Sequence, residues 1–157
     1  MQSSIEDIIE EYAADELLVV GVGNPLRGDD AAGLKLAEAV ARAGGFELLQ
    51  CEDVPEKYTR EMRTTAAETV LLVDAADMGL EAGQIRLVKR GDFGDVSLST
   101  HNSSLNLIAK MLGELGGKEV MLLGIQPLAV GFGRKLSEVI GDSISNFARA
   151  SDTHQSD

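Results

Sequence analysis

Two hydrophobic patterns alternate along this chain. Continuous apolar stretches of strand length occupy Leu17–Val22 and Glu119–Ile125, with others at 46–51, 69–74 and 84–89. Stretches of this kind suit strands covered on both faces, as in a parallel sheet. Between them, apolar positions recur every three or four residues: 34, 37, 40 and 41 within 31–43, then Leu105, Ile108, Leu112 and Leu115 within 103–115. The last set is Leu136, Val139, Ile140, Ile144 and Phe147. That period predicts helices with one buried stripe each.

Local signals refine these boundaries. Ser3 and Ser4 precede Glu6 and Asp7 at capping-box spacing, so a short helix carrying Ile5, Ile8, Ile9 and Tyr12 is predicted to open the chain. Gly44-Gly45 predicts the stop of the helix at 31–43. A weakly amphipathic stretch at 55–66, with Asp53 near its start, predicts one more helix, and the polar tail at 151–157 is expected to fray.

Strands alternating with helices predict an α/β fold in three layers, a five-stranded, mostly parallel sheet with helices on both faces. One connection breaks the rule. Residues 75–83 show no helical period and are too few for a parallel crossover, which takes a dozen or more. The strand at 84–89 should therefore run antiparallel to the rest, and residues 91–102 are long enough to return the chain across the sheet. No internal repeat or linker interrupts the order. A single domain over 1–157 is expected, with 1–16 as an N-terminal helical extension.

Composition narrows the function. With 14 Lys and Arg against 26 Asp and Glu, the net charge is 14 − 26 = −12, which disfavours nucleic acid as a partner. Four Phe, two Tyr and no Trp leave little to stack on bases or sugars. No apolar run approaches the ~20 residues of a membrane span, so no membrane partner is expected. The first 16 residues are acidic without Lys or Arg, opposite in character to an export signal. Cys51 stands alone, which excludes an internal disulfide and a Cys-based zinc site and suits a reducing cytoplasm.

In an open sheet of this kind, sites form beyond the carboxyl ends of the parallel strands. Three titratable groups should reach that edge: Asp30 after the first strand, Asp74 at the end of the third, and His101 just before the helix that leads into the fifth. Each has an ordinary alternative. Asp29 or Asp30 could cap a helix, Asp74 could close an Asx turn, and His101 could sit in a loop bonded to backbone. Together, two carboxylates and an imidazole suit a divalent metal with open positions. The glycine-rich loop 21–30 raises a nucleotide alternative, since it joins a strand to a helix and Glu52 and Asp53 could meet a ribose. Leu26 stands where a dinucleotide fingerprint needs its third glycine, and Asp29-Asp30 stand where a phosphate loop needs Lys and Ser or Thr.

These motifs also occur together elsewhere. Val20-Gly21-Val22-Gly23-Asn24-Pro25-Leu26-Arg27-Gly28-Asp29-Asp30, Leu72-Val73-Asp74-Ala75 and Ser99-Thr100-His101-Asn102 resemble the hydrogenase maturation proteases, nickel-dependent endopeptidases. Asp77-Met78-Gly79-Leu80, Gly83-Gln84-Ile85-Arg86, Leu123-Gly124-Ile125-Gln126-Pro127 and Val130-Gly131-Phe132 resemble the type that serves hydrogenase 3. The resemblance implies a twisted five-stranded sheet and a site in which Asp30, Asp74 and His101 are catalytic and contact nickel supplied by the substrate. That substrate would be the hydrogenase large-subunit precursor, shortened at its C-terminus, and the enzyme a cytoplasmic monomer. Gln50-Cys51-Glu52-Asp53 departs from the family's Asp, small residue, Gly, Thr or Ser after the second strand. A metal-binding assembly factor that holds the precursor without cutting it remains a third alternative.

Overall fold

The computed structural model describes residues 4–95 and 102–155. In chain order the elements are α1 (Ile5–Glu11), β1 (Leu17–Val22), α2 (Ala32–Gly44), β2 (Glu47–Glu52), α3 (Thr59–Thr64), β3 (Thr69–Ala75), β4 (Ile85–Lys89), α4 (Asn102–Lys110), β5 (Glu119–Ile125) and α5 (Glu138–Gln155). The five strands form one sheet in the order β2-β1-β3-β5-β4. Every pairing is parallel except β4 with β5, so the short 75–83 connection does force the antiparallel strand.

Strand alternation divides the core in two. Leu17 and Val19 of β1, Leu71 and Val73 of β3, and Met121, Leu123 and Ile125 of β5 pack with residues of α1, α2 and α5. Leu18, Val20 and Val22, then Val70 and Leu72, then Val120 and Leu122, pack on the other face against Met62 of α3 and Leu105, Ile108 and Ala109 of α4. Because side chains alternate at a period of two, each continuous apolar run feeds both cores at once. The three-layer α/β expectation holds.

Local signals behave as their chemistry dictates, with three departures. The Ser4 N–H donates to Asp7 Oδ2 at 3.1 Å, one arm of the expected capping box. Gly45 takes the left-handed conformation, φ 67°, that ends α2. The stretch at 55–66 is not one helix but a 3₁₀ segment, Pro55–Tyr58, followed by the six residues of α3. After α4 the chain widens into a π-helical turn, Met111–Leu115. Leu112 stays buried, but the extra residue in that turn rotates Leu115 out of the apolar stripe, and it is 85% exposed. At the other end α5 runs on to Gln155, into the tail expected to fray, since each added residue gains a helical hydrogen bond once the packed turns have nucleated the helix.

Candidate functional site

The order β2-β1-β3-β5-β4 has a switch point between β1 and β3, because the chain leaves β1 for β2 on one side and pairs β1 with β3 on the other. The crevice at the carboxyl ends of those two strands is where such sheets bind ligands. Asp30 follows β1 and Asp74 is the penultimate residue of β3, so both residues sit at that edge of the sheet. Neither is exposed to solvent beyond 1%.

Asp30 belongs to a 3₁₀ turn, Asp29–Ala31, that feeds directly into α2. The N-cap of α2 is Ala31, which offers no side-chain bond, so neither aspartate caps the helix. Instead Asp30 Oδ2 accepts the Asn24 N–H at 3.1 Å, drawing the carboxylate back toward the start of the glycine loop. Asp74 Oδ1 accepts the N–H of Ala75 at 2.9 Å, while the next N–H, of Ala76, goes to the Ile125 carbonyl at 3.0 Å. An Asx turn would have used that second N–H, so it too is excluded. Gly33 lets the two arms meet, for a β-carbon there would lie 2.8 Å from Asp74 Cα. Alternation along β3 sends Asp74 to the face of Val70 and Leu72, the layer of α4, whose first residue, Asn102, follows His101. His101 itself lies outside the described residues. Among the described residues no three His, Cys, Asp or Glu side chains gather as a metal site.

Asp29 was missed as a separate player by sequence reasoning. Fully buried, it accepts the N–H groups of Leu128 (2.9 Å), Ala129 (2.8 Å) and Ser137 (2.7 Å) and the Ser137 hydroxyl (2.8 Å). Burial alone would push its carboxyl up, but the bonds from Ser137, Ala129 and Leu128 outweigh that and hold it below the usual carboxylate value. The charge anchors the irregular segment 126–137 beside Asp30. The signal available was that segment itself: a connection that long without periodicity, carrying Pro127, Gly131 and Gly133, is uncommon unless it has a task.

A neighbouring clamp explains two further motifs. Gln126 Oε1 accepts the N–H groups of Met78 (2.7 Å) and Leu80 (3.3 Å), and its Nε2 donates to Asp77 Oδ1 at 3.2 Å. One side chain thus holds the turn after β3 against the end of β5.

The nucleotide alternative fails on hydrogen-bond accounting. A phosphate loop works by aiming free N–H groups at the ligand. Here the N–H groups of Gly23, Arg27, Gly28, Asp29, Asp30 and Ala31 all bond to carbonyls, and those of Asn24 and Leu26 to Asp30 and to Asn24 Oδ1. Pro25 has none to offer. Cys51 is equally unavailable as a nucleophile: burial, with Glu61 and Glu56 nearby, pushes its thiol up to about 12.

Known proteins share this chain's sequence and fold. The family model for hydrogenase maturation protease matches residues 34–151. The hydrogenase 3 maturation protease of Escherichia coli is 39% identical over 126 residues, covering 78% of this chain and 80% of that protein. The chain belongs to the hydrogenase maturation protease family. A putative hydrogenase maturation protease of Methanocaldococcus jannaschii is 30% identical over 143 residues, covering 83% of this chain and 85% of that protein. Among solved structures, a hydrogenase 3 maturation protease superposes with a TM-score of 0.72 at 35% identity, over 88% of this chain and 90% of that one. The maturation protease HycI of Thermococcus kodakarensis does so with 0.71 at 28% identity, over 88% and 91%. The chain is therefore a peptidase, and the non-cutting assembly factor drops out. The family match begins at residue 34, beyond Asp30, so the case for that residue rests on its geometry. Among the described residues no helix is long and apolar enough to cross a membrane.

Proposed function

We propose that this peptidase removes the C-terminal extension of a nickel-loaded large-subunit precursor of a nickel–iron hydrogenase, and that Asp30, Asp74 and His101 meet the nickel carried by that substrate. The observation that carries the reading is the pair of buried carboxylates, Asp30 and Asp74, on either side of the switch point between β1 and β3. Oxygen donors with a neutral imidazole suit a borderline divalent ion such as nickel, and the set lacks the thiolates that would hold the ion in the enzyme. His101 precedes Asn102 in sequence, the first residue of α4, and α4 belongs to the layer that Asp74 faces.

Charge explains why a metal-loaded substrate is preferred. Two carboxylates drawn out of water on either side of one switch point repel each other, and a divalent cation arriving between them relieves that repulsion. Nickel bound near the scissile peptide polarises a carbonyl or a water toward reaction. The enzyme's own residues grip the ion, orient the peptide beside it and keep bulk water out. A monomeric, cytoplasmic enzyme is part of the same proposal.

The test measures the mass of the large subunit after mixing with wild-type chain or with Asp30→Ala, Asp74→Ala or His101→Ala. Nickel-loaded precursor should lose its C-terminal peptide only with wild type, and metal-free precursor should stay whole. Wild-type rates in all three folded variants would overturn the site. Equal cutting of loaded and metal-free precursor would overturn recognition of nickel.

A further inference from the structure

Four of the large apolar side chains left in solvent among the described residues stand around Asp29 and Asp30: Leu26 (66% exposed), Leu128 (65%), Val130 (39%) and Phe132 (72%). They are held in place. Residues 128 and 129 hang by their N–H groups from the buried Asp29, the Gly133 N–H donates to the Leu26 carbonyl at 3.1 Å, and the Arg27 guanidinium carbon lies 5.1 Å from the centre of the Phe132 ring. An apolar surface with no partner does not need this much fixing.

The backbone carries the second observation. Gly28 and Val130 form an antiparallel bridge in which Asp29 N–H donates to the Ala129 carbonyl at 2.9 Å and Gly131 N–H to the Arg27 carbonyl at 3.4 Å. In that pattern the groups of Val130 itself point the other way. Among the described residues nothing bonds the Val130 N–H or carbonyl, or the Phe132 N–H. The result is an open backbone edge at Val130, an isolated bridge residue between a bend at Leu128 and a turn at Phe132, whose bridge partner Gly28 lies two residues from Asp30.

Resting on the reading that the substrate is a precursor polypeptide, we propose that an extended apolar segment of that precursor pairs in strand fashion with the open edge at Val130, bonding to its N–H and carbonyl and covering Leu26, Leu128 and Phe132. A peptide bond must be presented in extended form to be cut, and an open edge beside the catalytic carboxylate both extends and aligns it. A second copy of this chain is a poor occupant, because four side chains fall far short of the roughly 20–30 residues a side of a stable interface.

Two measurements test this. Processing kinetics compare wild type with Leu128→Ser, Phe132→Ser and Val130→Pro, using Leu115→Ser as a surface control. The first three should raise KM for nickel-loaded precursor about tenfold, the loss typical of a contact that matters, with kcat within about twofold, while the control stays at wild type. Melting curves verify that each variant folds. Amide exchange read by mass spectrometry, with the cleavage-deficient Asp30→Asn chain and nickel-loaded precursor, should slow at Val130 and Phe132. Unchanged KM in both serine variants, or unchanged exchange at both amides in the bound complex, overturns strand addition. Protection that grows with enzyme concentration alone overturns the precursor as occupant. Absence of cutting by wild type sinks the proposed activity instead, and the exchange measurement still judges the docking edge.

Discussion

Asp29 and Asp30 are neighbours in one 3₁₀ turn, equally hidden from water, and the reading proposed above gives them opposite work. Asp29 faces the segment after β5 and receives three backbone N–H groups and a hydroxyl. Its charge is fully engaged in holding the molecule together. Asp30 follows β1 at the switch point, where its Oδ2 accepts the Asn24 N–H, and Asp74 ends β3 on the other side. Four donors make the buried Asp29 carboxylate part of the structure, whereas the carboxylates at the switch point are the ones proposed above to seat a cation. The same residue type, one position apart, is sorted by its surroundings alone.

The sharpest way to break that contrast is to neutralise each aspartate in turn. Asp30→Asn should lower processing by roughly 10³-fold or more, equivalent to about 4 kcal/mol of transition-state stabilisation, while the melting temperature stays near wild type. Asp29→Asn should do the reverse. Its amide group would oppose the N–H groups that the carboxylate accepted, leaving buried donors unsatisfied, and unfolding free energy should fall by about 2–4 kcal/mol. Urea titrations and processing assays on both variants settle the matter. A stable but inactive Asp29→Asn, or an unfolded Asp30→Asn, would reverse the assignment of roles.

How much of this could be read beforehand follows from where each partner lies in the chain. Leu17–Val22 and Glu119–Ile125 agree residue for residue with the expected strands, because both-face burial writes itself into a continuous apolar run. The antiparallel β4 was legible from the brevity of 75–83, and the carboxyl-edge positions of Asp30 and Asp74 from topology. Leu115 misled because a π-helical turn adds a residue that no periodic pattern announces. The division of labour between Asp29 and Asp30 was beyond sequence reasoning, since it depends on bonds reaching 99 to 108 residues further along the chain. The register by which Gly28 meets Val130 is invisible for the same reason.

Acid sharpens the comparison at smaller amplitude. The Asp29 carboxyl is held below its usual value of 3.8 in the folded chain. A depressed folded value means its stabilisation is fully present above the unfolded value and is lost as pH falls through the folded one. Wild type should therefore be more stable than Asp29→Asn by a constant margin from pH 8 to about pH 5, and the margin should shrink as pH drops below 3.8. Unfolding free energies of both chains across that range test it. A margin that widens in acid would mean that some other group, not the ionised Asp29, holds the 126–137 segment.

The smallest effect lies at the other wall of the glycine loop, where Glu52 is the sole non-glycine described residue with positive φ, 51°. Its carbonyl receives the Gly23 N–H at 2.8 Å, and the β1–β2 register slips between Gly21 and Val22 to allow it. The left-handed conformation costs an ordinary residue roughly 1–2 kcal/mol, while a glycine placed there gives back roughly 0.5–1 kcal/mol of that through its freer unfolded chain. Glu52→Gly should therefore stabilise the fold by only about 0.5 kcal/mol, the difference between those two terms. Because the Glu52 side chain bonds nothing among the described residues, processing by Glu52→Gly should equal wild type. A loss of activity without loss of stability would move Glu52 from loop geometry into the substrate's path, and would extend the working surface from the Asp30 side of the glycine loop to the end of β2.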